Sequence, residues 1–169
     1  MSLLFDRDEM HRSAEISPCG AYRYSLGRCW EQTSPVNFVM LNPSTADADI
    51  DDPTIRRCIG FAKAWGYGSI VVTNLFAFRA TDPADMAKAA DPIGPENDRR
   101  IVECAMASAL VVCAWGAHRT IARRAATVLG LIRESDKTPM VLRTTKDGHP
   151  CHPLYLPADL SPVEWRSYR

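Results

Sequence analysis

The chain predicts an α/β fold: a three-layer α/β/α sandwich around a mainly parallel central sheet, with an N-terminal antiparallel hairpin. Two observations carry this expectation. Short apolar runs at 37–41, 69–75, 109–115 and 140–143 alternate with stretches of helical apolar spacing, the pattern of strands joined by crossover helices. The run Ser-Ile-Val-Val-Thr-Asn-Leu at 69–75 is apolar nearly throughout, as a strand covered on both faces must be. A chain of 169 residues is long enough for one domain with a real core and short for two. No repeat, linker or low-complexity tract divides it, so residues 1–169 are read as one domain.

The elements follow in order. Residues 21–32, AYRYSLGRCWEQ, alternate aromatic and polar side chains on either side of Leu26-Gly27-Arg28, which predicts a hairpin turning there. Asn37 to Leu41 is the first core strand. Asp52-Pro53 starts a helix, and Ile55, Ile59, Ala62 and Trp65 carry it to Gly66-Tyr67-Gly68. The second strand runs to Leu75. A helix over 96–108 leads into the third strand, Ala109 to Trp115. Gly116 opens a helix over 117–129, Met140 to Arg143 form a short fourth strand, and Pro162 to Trp165 suggest a closing helical turn.

Composition excludes several functions. The apolar fraction is 46% and the charged fraction 24%, ordinary for a globular protein. Twenty basic and twenty acidic residues cancel, so no net field draws the chain to a polyanion, and nucleic-acid binding would need a local patch. The N-terminus, MSLLFDRDEMHR, carries charges where a signal peptide needs an apolar core. No run approaches the ~18 apolar residues of a membrane span. A cytoplasmic protein without a membrane partner is expected. The six cysteines show no C-x-x-C pair, so no disulfide framework is expected, and Cys104 and Cys113 read as buried thiols.

In a parallel sheet the C-terminal ends of the strands share one edge, where ligands gather. Strand one ends in Asn42-Pro43-Ser44-Thr45 and a run of aspartates. Strand two ends near Asn74 and Phe76, strand three at Trp115-Gly116-Ala117-His118, and strand four leads to His149-Pro150-Cys151-His152-Pro153. Three of the four histidines and the conspicuous asparagines therefore fall at one edge, which predicts a pocket there.

Plainer readings stand beside this. Asn42-Pro43 can simply end a strand. Asp47, Asp49, Asp51 and Asp52 suit a solvated loop with Asp51 or Asp52 capping the helix. They lack the spacing of a calcium loop. Arg56 and Arg57 open the helix, where backbone N–H groups favour anions, so either can hold a phosphate or pair with an aspartate. His118, following Gly116 at a helix start, reads as a surface residue or one that supports a site from behind, more than as a catalytic one. His149 and His152 flank Pro150-Cys151, but three close ligands with no fourth make a poor zinc site. A proline-stiffened loop that aims one imidazole into a pocket suits them better, because imidazole titrates near neutral pH.

These motifs resemble a bacterial and phage family of uncharacterised proteins, the domain-of-unknown-function family numbered sixteen forty-three. The likeness runs through Tyr22-Arg23-Tyr24-Ser25-Leu26, Leu41-Asn42-Pro43-Ser44-Thr45-Ala46, Asp52-Pro53-Thr54-Ile55-Arg56-Arg57, Asn74-Leu75-Phe76-Ala77, Pro92 to Asp98, Trp115-Gly116 and His152-Pro153-Leu154-Tyr155-Leu156. More distantly, the order of motifs is similar to that of the uracil-DNA glycosylase superfamily. Asn42-Pro43, Asn74, Trp115-Gly116 and His152-Pro153 (or His149-Pro150) stand where that superfamily carries an acid or Asn before Pro, a base-reading Asn, Trp-Gly and His-Pro.

The resemblance implies a uracil-DNA-glycosylase-like fold and a pocket for a pyrimidine-like base. Asn42 would position water at the anomeric carbon, and His152 would donate to the base oxygen that gains charge. Asn74 would read the base edge and Phe76 stack on it. Pro43, Ser44, Thr45, Trp115 and His149 would complete the binding site, and Arg56 and Arg57 an anion site. Asn42 stands where the strongest catalysts carry Asp, and a carboxamide takes no proton near pH 7. Asp49, or Asp47, would have to supply the carboxylate. The expected activity is N-glycosidic bond hydrolysis on a base in nucleic acid or a nucleotide, without metal or cofactor. The alternatives are a non-catalytic nucleotide or modified-base binding module, and a metal-dependent small-molecule enzyme built on the aspartates with His149 and His152. A nucleobase, nucleotide or nucleic acid is the expected partner in the first two.

Overall fold

A computed structural model describes residues 9–44 and 48–166. Among them, seven strands form one sheet: β1 (His11–Ile16), β2 (Arg23–Cys29), β3 (Val36–Met40), β4 (Ser69–Asn74), β5 (Leu110–Cys113), β6 (Pro139–Val141) and β7 (Val163–Glu164). Four helices connect them: α1 (Pro53–Ala64), α2 (Pro83–Ala87), α3 (Asn97–Ala107) and α4 (Ala122–Glu134), with a 3₁₀ turn over Pro153–Tyr155. The spatial order is β1-β2-β4-β3-β5-β6-β7.

The sheet is mixed, which corrects the expectation of a mainly parallel one. The β4-β3-β5-β6 block is parallel, while β1, β2 and β7 add three antiparallel pairings at the two edges. The parallel block comes from the crossover helices. The antiparallel β1–β2 pair comes from the short connection between them, which can only reverse the chain, while β2 and β7 reach their partners β4 and β6 through longer excursions.

β3 is central and fully buried, and its alternation divides the core. Val36, Phe38 and Met40 pack with Ile55, Ile59 and Phe61 of α1 on one face. Val39 packs on the other with Ile101 of α3 and Val128 and Ile132 of α4. The chain leaves β3 through α1 to reach β4 on one side. It returns through α3, across the opposite face, to β5 on the other side. The strand order thus reverses at β3, and a crevice opens beyond the C-terminal ends of strands at such a switch point.

Three local expectations are corrected. The segment around Leu26-Gly27-Arg28 is no turn but the middle of β2, and the reversal lies at Ser17–Tyr22, where Ser17 N–H donates to the Tyr22 carbonyl (2.9 Å). Gly27 pairs with Ser13 of β1, and a side chain at Gly27 would collide with the Ser13 hydroxyl. The glycine marks a close strand approach. The helix expected from 117 begins only at Ala122, which puts Val128, Leu129 and Ile132 on the core. The expected closing turn at 162–165 is instead β7, with Trp165 N–H donating to the Pro139 carbonyl (2.9 Å) and its ring edge-on to Trp115 at 5.5 Å. Burial of that indole decides the conformation over local preference.

Cys58 and Cys113 are buried, and their apolar surroundings push both thiols well above their ordinary pKa. Cys104, half-buried, is raised to about 11, chiefly by burial. No described helix is long and apolar enough to cross a membrane.

Candidate functional site

At the switch point lies a cavity of about 250 Å3. β3 delivers Leu41, Asn42 and Ser44, β4 delivers Asn74, β5 leads to Trp115, and α1 contributes Asp52, Thr54 and Ile55 at its first turn. His152, before the 3₁₀ turn, closes the far wall. Five of the expected site residues (Asn42, Ser44, Asn74, Trp115 and His152) therefore share one cavity.

Asn42 is fixed by its own backbone neighbourhood. Its Nδ2 donates to the Pro43 carbonyl (3.1 Å) and the Ala80 carbonyl (2.9 Å). Both amide hydrogens are thereby engaged, so the carbonyl oxygen is the group the side chain offers a ligand or water. Pro43 is buried and joins this clasp through its carbonyl, which also accepts the Ala80 N–H (3.1 Å).

Asn74 is 2% exposed, and among the described residues its side chain makes no hydrogen bond, although it lines the cavity. Its backbone is held from behind. Asn97 of α3 donates to the carbonyls of Asn74 (3.0 Å) and Leu75 (3.1 Å), and Arg124 of α4 donates through Nε to Leu75 (2.7 Å). The amide opens into the cavity, where water or a ligand can pair with it.

His152 accepts the Leu154 N–H at Nδ1 (3.2 Å). In the neutral ring the proton then sits on Nε2, which becomes a donor. Burial lowers the His152 pKa, Asp52 opposes that shift and His118 adds to it. His118 also lines the cavity.

The cavity's carboxylate is Asp52, not Asp49. Asp52 caps α1, its Oδ1 accepting the Ile55 N–H (2.8 Å), and it lines the cavity. Asp49 is exposed and lies outside the lining. Thr45 and Asp47 lie outside the described residues. Asp51 next door is held by arginines of β1 and β2. Arg28, 1% exposed, donates Nε to Asp51 Oδ1 (2.7 Å) and Nη2 to the Ala48 carbonyl (2.5 Å), while Arg12 reaches Asp51 Oδ2 (2.8 Å). Burial works against the Asp51 carboxylate, but hydrogen bonds from Arg28 and Arg12 outweigh it and hold its pKa below the usual value.

Arg23 of β2 also lines the cavity at 6% exposure. Burial, aided by neighbouring Arg79, lowers its pKa to about 10 against the opposing pull of Asp52. Sequence reasoning placed His118 at the ligand edge without giving it a role in the site, and missed Arg23 and the cavity role of Asp52. Asp52-Pro53 gave the one usable signal, since a cap following the first strand must sit at the ligand edge. Nothing in the alternating aromatics around Arg23 marks a buried charge.

The remaining expected residues lie elsewhere. Phe76 packs against the α3–α4 side of the core and is not part of the lining. His149 lines a separate cavity of about 320 Å3 with Trp165 and residues along α4, and Trp115 lines both cavities, so it stands as a partition between the two. Arg56 and Arg57 line a groove on α1. Among the described residues, no three His, Cys, Asp or Glu side chains are placed to hold a metal ion, and His149 and His152 face different cavities.

No curated protein and no solved structure matches the chain. Residues 23–154 match the family described as "Protein of unknown function (DUF1643)", a stretch that includes every residue named above as lining the switch-point cavity. The match covers well over half of the chain, and the protein belongs to that family.

Proposed function

We propose that the switch-point cavity binds a single nucleobase-like heterocycle and that the protein hydrolyses the N-glycosidic bond of the nucleoside unit that carries it. The observation that carries this reading is the convergence of Asn42, Asn74, Asp52 and His152 on one small cavity. Its volume of about 250 Å3 lies below the ~300–1,000 Å3 of pockets for drug-sized ligands, which suits one ring system. The motif order shared with the uracil-DNA glycosylase superfamily supports the same reading, by analogy.

Each side chain has a role that its partners leave available. Asn74 pairs its open amide with the polar edge of the base. The Asn42 carbonyl accepts a hydrogen bond from water held at the anomeric carbon. As the C–N bond breaks, its electron pair leaves with the base, and the Nε2–H of neutral His152 donates to the base oxygen that takes up the charge. Water adds to the anomeric carbon, and its proton passes to Asp52 and from there to the departing base. A lowered His152 pKa keeps the ring neutral at pH 7, so that it acts as a hydrogen-bond donor without competing for that proton.

A second reading, a non-catalytic base-binding module, is favoured by one fact: an oxygen of Asp52 is already engaged as the cap of α1. Incubation with oligonucleotides and nucleotides carrying uracil, hypoxanthine and other altered bases separates the two. Abasic product or released base, lost in Asp52→Asn, supports hydrolysis. Binding without product across the panel supports the module.

A further inference from the structure

Beside the cavity, on the first turns of α1, lies a groove of about 430 Å3 lined by Arg56, Arg57, Gly60 and Phe61. Both are lined by the first turns of α1. Thr54 lines the cavity and Arg57 the groove, and residues three apart on a helix are neighbours at ~5–6 Å. Arg57 Nε donates to the carbonyl of Pro153 (3.4 Å), the residue after His152, and its guanidinium lies 5.3 Å from the Phe61 ring centroid. Arg56 Nη1 donates to the Asp51 carbonyl (2.7 Å). Each guanidinium is thus anchored by one N–H to a backbone carbonyl. Among the described residues neither is ion-paired, whereas Arg28, Arg99 and Arg124 all are. Two guanidiniums that line one groove without carboxylate partners are matched to a phosphate. Independently, Asn74 lines the cavity with a side chain that makes no hydrogen bond among the described residues, so its amide is open to a ligand's polar edge.

We propose that Arg56 and Arg57 form the phosphate subsite of the cavity, so that the ligand is a nucleotide unit, with its base inside and its phosphate on α1, and not a free base or nucleoside. This rests on the reading of the cavity as a base site. A free nucleoside monophosphate and a nucleotide within a single strand share this chemistry. With twenty basic and twenty acidic residues in the chain, attraction comes from these two side chains at contact range and not from a whole-molecule field.

The test is calorimetric titration of the intact protein with uridine, cytidine, adenosine, guanosine and inosine, their 5′-monophosphates, and single-stranded oligonucleotides bearing each base. At least one phosphate-bearing form is expected to bind about tenfold or more tightly than its nucleoside. The Arg56→Gln/Arg57→Gln variant should lose that advantage and keep nucleoside affinity, and Arg56→Lys/Arg57→Lys should recover part of it. Asn74→Ala should weaken nucleoside and nucleotide alike. Preference for the monophosphate or for the oligonucleotide assigns the source. Equal affinity of nucleoside and phosphate forms, or an advantage that survives the double Gln variant, overturns the phosphate subsite and leaves the base cavity standing. Absence of binding by every probe overturns both.

Discussion

Arg28 and Asp51 form a buried ion pair at 2.7 Å, in which the arginine side chain is wholly enclosed and the aspartate precedes the cavity's own carboxylate. Removing one partner leaves the other charge without compensation. Asp51→Ala is expected to cost about 3–5 kcal/mol in chemical denaturation, and Arg28→Met/Asp51→Ala is expected to cost less than the two single changes summed. The pH dependence follows from the depressed Asp51 pKa. The unfolded carboxyl titrates near 3.9, so the contribution is complete above that value and is lost as pH falls through the lower folded value. Wild-type and Asp51→Ala stabilities should converge in acid, and parallel curves down to pH 2 would refute the assignment.

Asn42→Asp tests whether the carboxamide stands in for a carboxylate. Aspartate cannot donate to the Pro43 and Ala80 carbonyls. The substitution should destabilise by about 1–3 kcal/mol, as for a lost buried donor facing unsatisfied acceptors, and should not raise turnover despite the added proton acceptor. Thermal melts and the base-release assay read the two effects separately. A stable variant with faster base release would show that the clasp is dispensable.

His152 carries a second pH signature. Its folded pKa is lowered by burial, so above the unfolded value of about 6.5 the ring is neutral in both states and contributes nothing. Below that value the unfolded chain binds the proton first, and stability falls with pH until the folded value is reached. His152→Gln should remove this slope in melting temperature between pH 7 and 5. A slope unchanged in the variant would place its origin elsewhere.

Gly116 sits at φ +80°, and a Cβ there would lie 3.9 Å from the His152 Cβ, in ordinary contact. Gly116→Ala should therefore cost about 1–2 kcal/mol through backbone strain alone. Base affinity should fall only as far as His152 moves with the strained peptide. Equilibrium denaturation together with nucleoside titration checks both, and an alanine variant of full stability would mean that the loop relaxes.

The parts of the fold that could be read in the sequence are those set by local pattern. β3, α1 and β4 announce themselves because an apolar run, an Asp-Pro cap and a Gly-Tyr-Gly stop follow one another within a short stretch. The strand-edge rule then brings Asn42, Asn74, Trp115 and His152 together without any knowledge of side-chain contacts. What escaped depends on partners distant in sequence. Gly27 mimics a turn until Ser13 is seen opposite it. β1 is an edge strand with mostly exposed residues and shows no alternation. His149 and His152 both precede prolines, and their different destinations are set by the 3₁₀ turn over Pro153–Tyr155 and by Trp115 standing between two cavities.

The hydrogen bonds from Asn97 and Arg124 to the end of β4 have a consequence for how substitutions will distribute. They tie two helices on the far side of the sheet to the peptide that bears Asn74, so the amide is preorganised before any ligand arrives. Changes at Asn97, which touches no ligand in this arrangement, should then surface as weaker recognition at the cavity. A random screen for loss of binding would recover α3 as readily as the cavity wall.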